Sequence, residues 1–232
     1  MRLQPFLIEY KPPTKYLNFV TPIAMDIEEY IENHTTPEDE ALRQLRRHTN
    51  LTTTFPRQLS GPVQGKLLEM LSRMIAPKNI LEIGTFTGYS AYCLAKGLQD
   101  GGMLHTIEVK DEMEEPLLSF FEKSGIADRV ALHIGDAVDV VKDLDVAFDL
   151  AFIDGDKRQY PDYYAVAFPK IRVGGYIIID NVLWYDKVIT EPKHNDPYTA
   201  GIIALNDIVQ NDPRVENVIV PVRDGLTIVR KL

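Results

Sequence analysis

Residues 80–90 read Ile-Leu-Glu-Ile-Gly-Thr-Phe-Thr-Gly-Tyr-Ser, a short apolar run followed by a turn that contains two glycines. The run predicts a buried strand, and the residues from Tyr89 onward predict the start of a helix. In an open parallel sheet, ligands bind beyond the carboxyl ends of the strands, which is where such a turn lies. Glycine lets the backbone approach a ligand closely, and a helix N-terminus offers free N–H groups. The stretch therefore predicts an α/β fold with a ligand site at this turn.

Outward from this turn, short apolar runs alternate with segments of helical periodicity. Each return between parallel strands needs a crossover, so the alternation predicts a Rossmann-like, doubly wound and mostly parallel sheet. Arg223-Asp224-Gly225 is a hairpin signal, and it predicts an antiparallel strand pair at the C-terminal end. The predicted strands are 79–83, 104–108, 130–134, 149–153, 175–180, 215–221 and 226–230, and the predicted helices of this part are 60–74, 89–98, 111–124, 137–144, 160–171 and 200–209.

The first 57 residues differ from the rest because they show no strand pattern. Pro12-Pro13 excludes an early helix, and residues 26–34 and 37–48 predict two short amphipathic helices, the second capped by Thr36. No linker rich in proline, glycine or serine divides the chain. We therefore expect residues 58–232 to form one compact domain, preceded by a helical extension of residues 1–57.

Composition excludes several classes of protein. Of the 232 residues, 45% are hydrophobic and 25% charged, which are ordinary values for a globular chain. The formal net charge of −9 argues against a nucleic acid or an anionic membrane surface as partner. Cys93 is the single cysteine, which excludes an intramolecular disulfide and a multi-cysteine metal site. Neither a signal-peptide pattern nor a long apolar stretch is present, so we expect a soluble, cytoplasmic protein.

The spacing of the glycines narrows the ligand. Gly84 and Gly88 form Gly-x-x-x-Gly, which differs from the Gly-x-Gly-x-x-Gly pattern that seats a pyrophosphate. Glu108 ends the next predicted strand, where a carboxylate can accept both ribose hydroxyls of an adenosine. Asp136 either accepts from an adenine amino group or caps the helix that begins at Ala137. The pattern favours a nucleoside ligand, and the alternative is that both glycines only serve a tight turn.

Acidic side chains follow two predicted strands that we expect to be neighbours. Asp154 and Asp156 come after the fourth strand, and Asp180 and Asn181 close the fifth. Parallel neighbours end at one edge, so Asp154, Asp180 and Asn181 can converge on a hard cation such as Mg²⁺, Mn²⁺ or Ca²⁺. The five histidines are scattered, which argues against zinc. For an isolated Asp-x-Asp, the alternative is a solvated turn.

Lys157 follows these acids at a predicted helix start, where the helix dipole disfavours a cation. Beside a metal its pKa is expected to be depressed, so that the amine acts as a general base. The alternative is a solvated surface lysine. Trp184 and Tyr185 come soon after the predicted metal ligands, where they either wall an aromatic substrate or pack in the core.

Through residues 81–90, 152–157 and 180–184, the chain resembles the cation-dependent class I O-methyltransferases, a family that includes caffeoyl-CoA and catechol O-methyltransferases. The resemblance covers about residues 58–230, and it implies S-adenosylmethionine and a divalent cation as cofactors, a phenolic small-molecule acceptor and a homodimer. It implies Asp154, Asp180 and Asn181 as metal ligands. It also implies Lys157, as the base, and Asp154 as the catalytic residues. The cofactor contacts that we expect, with Asp136 added from its position, are Ser60, Gln64, Glu82, Gly84, Ser90, Glu108, Asp136, Ala137, Asp154 and Asp156.

The resemblance further implies an in-line displacement at the sulfonium methyl group. A metal that binds two vicinal phenolic oxygens would activate one of them, and Lys157 would remove its proton. Plant members that accept CoA esters carry a segment rich in arginine and tyrosine after the metal ligands. Residues 187–205 contain no arginine and a single tyrosine, so a catechol-like acceptor is expected rather than a CoA ester.

Three other functions account for part of the pattern. A nicotinamide-dependent oxidoreductase would share the sheet, but this chain lacks the Gly-x-Gly-x-x-Gly spacing typical of such enzymes. A metal-dependent hydrolase would use the acidic edge but leaves the glycine turn and Glu108 without a role. A non-enzymatic binding module would need neither the glycine turn nor the acidic edge for chemistry, and the acidic residues would serve only solubility.

Overall fold

The computed structural model describes residues 26–190 and 195–232. Pro12-Pro13, the rest of the first 25 residues and positions 191–194 of the arginine-free segment lie outside the described residues. Within these ranges, the helices are α1 Ile27–Asn33, α2 Glu40–Thr52, α3 Gly61–Ile75, α4 Tyr89–Ala95, α5 Glu114–Lys123, α6 Ala137–Asp143, α7 Tyr160–Lys170 and α8 Pro197–Gln210. The strands are β1 Asn79–Ile83, β2 Met103–Glu108, β3 Val130–Ile134, β4 Phe148–Ile153, β5 Ile171–Asp180, β6 Val215–Val220 and β7 Leu226–Lys231.

These strands form one sheet in the order β3-β2-β1-β4-β5-β7-β6. The first five are parallel to one another, and β7 runs antiparallel to both β5 and β6. The chain moves outward from β1 to β3 and then crosses to the other side of β1 with β4, which places the switch point between β1 and β4. The predicted Rossmann-like sheet with an antiparallel C-terminal end is confirmed.

Both faces of the sheet are buried beneath helices. On β1, Leu81 and Ile83 belong to the hydrophobic cluster that includes residues of α6, α7 and α8, whereas Ile80 belongs to the cluster of α2, α3, α4 and α5. A strand that is covered on both faces needs apolar side chains at successive positions, which explains the continuous apolar runs in the sequence. The result is a three-layer α/β/α domain whose ligand edge lies at the carboxyl ends of the strands.

The start of α2 differs from the prediction. Thr36 does not cap this helix, because the N-cap is Asp39, whose carboxylate accepts from the Leu42 N–H at 3.1 Å. Glu38 is buried just before the cap and accepts a hydrogen bond from the Tyr89 hydroxyl at 2.7 Å. The helix therefore begins at Glu40 rather than at residue 37. Leu42 and Leu45 join the core cluster that contains α4, so the second helix of the extension packs on the domain.

No helix in the described ranges is long and apolar enough to cross a lipid bilayer. The domain boundary at residue 57 stays a prediction.

Candidate active site

A cavity of about 1080 Å³ opens at the carboxyl ends of the parallel strands. This volume is at the upper end of what a small-molecule or cofactor site needs. Most of the residues predicted from the sequence line it, although they come from six separate parts of the chain. These residues are Ser60, Gly84, Ser90, Glu108, Asp136, Ala137, Asp154, Asp156, Lys157, Asp180, Asn181, Trp184 and Tyr185.

The glycine turn fits tightly between neighbouring strands. Gly84 has φ +99°, and a Cβ added there would lie 2.3 Å from the backbone oxygen of Asp154. Gly88 has φ +89° and caps α4. Both glycines are therefore required by the backbone itself. The turn also lines the cavity, so its role in the backbone is compatible with a role in ligand binding. Direct contact with a ligand stays a prediction.

Glu108 is oriented by the backbone at the cavity wall. One carboxylate oxygen accepts from the Phe86 N–H at 2.8 Å, and the other accepts from the Lys110 N–H at 3.1 Å. Each oxygen keeps a lone pair for a further donor. Glu108 is thus held in place before any ligand arrives, as a carboxylate that accepts two hydroxyl groups would need to be.

Asp136 is a helix cap, as one of its two predicted roles required. Its carboxylate accepts from the Val138 N–H at 2.8 Å at the start of α6. Asp136 also lines the cavity. A contact with an adenine amino group stays a prediction.

Gln64 and Glu82 are completely buried and are not among the side chains that line the cavity. Gln64 Nε2 donates to Asp180 Oδ2 at 2.5 Å, so this side chain supports the acidic edge. Burial raises the pKa of Glu82 to about 8, and the hydroxyls of Ser90 and Thr106 oppose the shift. Glu82 accepts from the Thr106 hydroxyl at 2.5 Å, beneath the glycine turn. For both residues, direct contact with a cofactor stays a prediction.

Asp180 places a carboxyl group in a nearly closed position. The residue is 3% exposed, and its Oδ1 accepts from the Asn181 N–H at 2.7 Å. Burial raises the pKa of Asp180 to about 7, and the negative charge of the nearby Asp154 adds to the shift. Two carboxylates at one buried edge are an excess of negative charge, which a bound cation would relieve.

The donor set is compatible with a hard divalent cation. Asp154, Asp180 and Asn181 supply only oxygen donors and line the same cavity. Within the described ranges, no three His, Cys, Asp or Glu side chains are grouped as a metal site. The third protein ligand of a cation here would therefore be the Asn181 amide.

Lys157 is buried beside Asp154 rather than solvated. Its Nζ lies 2.6 Å from Asp154 Oδ1, and its side chain is 12% exposed. Burial lowers the pKa of Lys157, but the Asp154 carboxylate and the Tyr160 hydroxyl outweigh this effect, so the pKa is raised. This shift is opposite to the one expected beside a metal, because the carboxylate assigned to the metal pairs directly with the ammonium group; a depressed pKa beside a bound metal stays a prediction.

An aromatic wall flanks the acidic edge. The Trp184 and Tyr185 ring centroids are 5.6 Å apart, and Tyr198 stacks on Trp184 with centroids 6.4 Å apart. Arg158 lies 5.2 Å from the Tyr198 ring and pairs with Asp156, which lowers the pKa of Asp156. Sequence reasoning missed Tyr198, although it is the single tyrosine of residues 187–205.

Residues 54–58 and Arg223 also line the cavity and were not predicted. They come from parts of the chain that are far apart in sequence, and no local motif marks them.

Sequence comparison relates the chain to known enzymes. A family model described as O-methyltransferase matches residues 32–232. Caffeoyl-CoA O-methyltransferase 1 from Eucalyptus globulus is 33% identical in an alignment of 210 positions that covers 84% of this chain and 83% of the relative. Tricin synthase 2 from Oryza sativa subsp. japonica is 34% identical in an alignment of 206 positions that covers 84% of this chain and 70% of the relative.

Solved structures agree with this relation. The O-methyltransferase from Bacillus cereus in complex with SAH (S-adenosylhomocysteine) is 31% identical, with a TM-score of 0.81 over 88% of this chain and 97% of that one. The O-methyltransferase TomG from Streptomyces achromogenes, involved in tomaymycin synthesis and solved in complex with SAM (S-adenosylmethionine), is 31% identical. Its TM-score is 0.80 over 87% of this chain and 94% of that one. The chain therefore belongs to the O-methyltransferase family that contains the caffeoyl-CoA O-methyltransferases, and it is an S-adenosylmethionine-dependent O-methyltransferase.

Proposed function

We propose that this O-methyltransferase requires a divalent cation and methylates a hydroxyl group of a catechol-like small molecule. The observation that carries the proposal is that Asp154, Asp180 and Asn181 line one cavity together with the glycine turn, and that the buried Lys157 pairs with Asp154 there. The family assignment favours this function over the oxidoreductase and the hydrolase. The aromatic wall at Trp184 supports a flat phenolic acceptor.

The absence of arginine from residues 187–205 supports an acceptor smaller than a CoA ester. A CoA ester presents several phosphate groups, and arginine is the side chain best suited to bind them. The plant relatives are named for a CoA ester, and this chain is proposed to differ from them in that respect.

S-adenosylmethionine supplies an electrophilic methyl group, and a divalent cation would supply Lewis acidity that lowers the pKa of a phenolic hydroxyl. The chain contributes position rather than covalent chemistry. Glu108 is proposed to accept the ribose hydroxyls, because both of its oxygens are already oriented by backbone N–H groups. Asp154, Asp180 and Asn181 are proposed to hold the cation. Trp184 and Tyr185 are proposed to hold the acceptor ring.

Lys157 is proposed to accept the proton of the attacking hydroxyl at Nζ. The neutral amine is needed for this step, whereas the contact with Asp154 keeps Nζ protonated in the structure. We therefore place the proton transfer in a state in which the Asp154 carboxylate has another cationic partner.

Replacing Lys157 with methionine is expected to lower kcat by about 100-fold or more, the usual contribution of a general base. The affinity for Mg²⁺ should not fall, because Lys157 is not one of the proposed metal ligands and its ammonium group competes with the cation for Asp154. Lys157→Arg is the matched control, since it keeps the positive charge but cannot accept a proton at neutral pH. Steady-state kinetics and calorimetric titration with Mg²⁺ measure the two effects. Wild-type turnover in Lys157→Met would remove the base from the mechanism, and full activity in Lys157→Arg would assign Lys157 an electrostatic role.

Calorimetric titration with S-adenosylhomocysteine, with and without Mg²⁺, tests the cofactor site. We expect saturable one-site binding in both conditions, and a loss of about 1–3 kcal/mol in Glu108→Ala, which removes hydrogen bonds to a charged group. Glu112→Ala is the matched control, because Glu112 is exposed and does not line the cavity. Unchanged affinity in Glu108→Ala would place the ribose elsewhere. Full turnover after exhaustive chelation would overturn the cation requirement.

The homodimer implied by the family resemblance is also a proposal. Light scattering on the purified protein measures it directly. A monomeric mass at micromolar concentration would contradict it.

A further inference from the structure

The turn between β6 and β7, residues 221–225, contacts two segments that line the cavity. One is residues 57–60, which precede α3, and the other is residues 183–185, which follow β5. The sequence marked this turn only as a hairpin. Arg223 and Asp224 make these contacts through their side chains and, for Asp224, also through its carbonyl oxygen.

Arg223 binds the segment that precedes α3. Its Nη1 donates to the Leu59 carbonyl at 2.7 Å and to the Ser60 carbonyl, and its Nη2 lies 3.4 Å from the Arg57 carbonyl. A guanidinium can bridge several acceptors because its five donors lie in one rigid plane, whereas an ammonium group is a single point. Arg223 has φ +52°, an uncommon conformation that persists only where the surrounding contacts impose it.

Asp224 binds the segment that follows β5. Its Oδ1 accepts from the Tyr185 N–H at 2.6 Å, and its carbonyl accepts from the Leu183 N–H at 2.9 Å. Trp184, Tyr185 and Asp186 have φ values of +47°, +53° and +59°. Three successive non-glycine residues in the left-handed region are disfavoured, so this run needs fixed partners. Asp224 supplies one such partner, at Tyr185, and its carbonyl holds Leu183, the residue that precedes the run.

We propose that the 221–225 turn is a clamp that positions both sides of the active site. Arg223 sets the segment that carries Ser60 on the cofactor side, and Asp224 sets the segment that carries Trp184 on the acceptor side. Both are positioning residues, because each acts through another segment. The proposal rests on the proposed function only for the roles of Ser60 and Trp184.

The role of Arg223 on the cofactor side is tested by the variant Arg223→Ala. The dissociation constant of S-adenosylhomocysteine is expected to rise about tenfold, because residues 57–60 at the cavity wall are no longer held in position once the hydrogen bonds from Arg223 are lost. Arg223→Lys should recover only part of this affinity, since an ammonium cannot bridge the same carbonyls. Full recovery with lysine would overturn the clamp in favour of a direct charge contact with the ligand. Unchanged affinity in Arg223→Ala would overturn it outright.

The role of Asp224 on the acceptor side is tested by the fluorescence of Trp184. Trp184 is the single tryptophan of the chain, and its Nε1 is buried without a hydrogen-bond partner in the described part of the molecule. We expect Asp224→Ala to shift the Trp184 emission to longer wavelength and to increase its quenching by iodide. Asp224→Asn keeps an acceptor oxygen for the Tyr185 N–H and should restore the emission. Unchanged emission in Asp224→Ala would contradict the proposal.

The crossed pattern separates a clamp from general support of the fold. Arg223→Ala should change the affinity and leave the Trp184 emission, whereas Asp224→Ala should change the emission and leave the affinity within about twofold. Equal effects of both variants on both readouts would overturn the clamp. If an alanine variant fails to fold by circular dichroism, Arg223→Lys and Asp224→Ser must show the same crossed pattern at smaller amplitude. Neither readout needs a cation or a phenol, so a failure of the proposed function would be seen separately.

Discussion

Asp180→Ala is expected to lower the rate of cation-dependent methyl transfer by about 100-fold or more, while the affinity for S-adenosylhomocysteine stays nearly unchanged. Asp180 is nearly closed off from solvent and is held in a fixed orientation by Gln64 and by the Asn181 N–H, so its removal deletes one of the two proposed carboxylate ligands. Even outer partners of metal ligands cost about 10–100-fold when they are lost. The loss should therefore appear in turnover and in Mg²⁺ affinity together.

Turnover at saturating acceptor and two calorimetric titrations, one with Mg²⁺ and one with S-adenosylhomocysteine, measure this prediction. Asp180→Asn keeps the shape of the side chain and removes its charge, so it separates lost charge from lost packing. Asp207→Ala is the surface control, because Asp207 is exposed on α8 and outside the cavity. Equal loss of turnover and of S-adenosylhomocysteine binding in Asp180→Asn would show that the metal assignment is wrong.

A structural corollary concerns Gln64, which the family resemblance placed along the cofactor. Its Nε2 donates to Asp180, so its position is that of a support for a proposed metal ligand. Sequence reasoning could not separate the two roles, since both place Gln64 near the same edge. The distinction depends on which way a buried side chain turns, and that is decided by tertiary packing.

The sheet itself was predictable because its strands are covered on both faces. Continuous apolar runs such as residues 150–153 end where the chain reaches the ligand edge, so the positions of Asp154 and Asp180 followed from the strand ends. Long-range contacts were not predictable. Arg223 reaches the carbonyls of Leu59 and Ser60 across most of the chain, and no local pattern encodes such a bond.

The pKa of Lys157 is a second property that could not be predicted from the sequence. Its place near a helix start correctly indicated an unusual electrostatic environment, but the sign of the shift depended on the distance to a single carboxylate. Asp154 Oδ1 lies 2.6 Å away, and this contact reverses the effect of burial. Spacing along a sequence gives proximity, whereas the direction of a pKa shift needs the geometry of the pair.

Gly84→Ala is expected to cause the largest loss of stability of any single change considered, about 3–5 kcal/mol in the free energy of unfolding. Gly84 has φ +99°, and an added Cβ would meet the backbone oxygen of Asp154 at 2.3 Å and its carbonyl carbon at 2.7 Å. These are main-chain atoms of a neighbouring core strand, so no side-chain rotation relieves the contact. Urea denaturation monitored by circular dichroism measures the loss.

Gly125→Ala is the matched control for Gly84→Ala, because Gly125 also has positive φ (+72°) but would place its Cβ in open space. It should cost about 1 kcal/mol, which isolates the penalty of the left-handed backbone. The difference between the variants is then the effect of pushing β1 and β4 apart. The Asp154 N–H donates to the Ile83 carbonyl at 2.8 Å, so separation of these strands also moves a proposed metal ligand. Under conditions where Gly84→Ala remains folded, it should bind both S-adenosylhomocysteine and Mg²⁺ more weakly. Equal stability losses in the two variants would mean that the turn tolerates displacement from Asp154, and that the cofactor and cation sites are not linked through this contact.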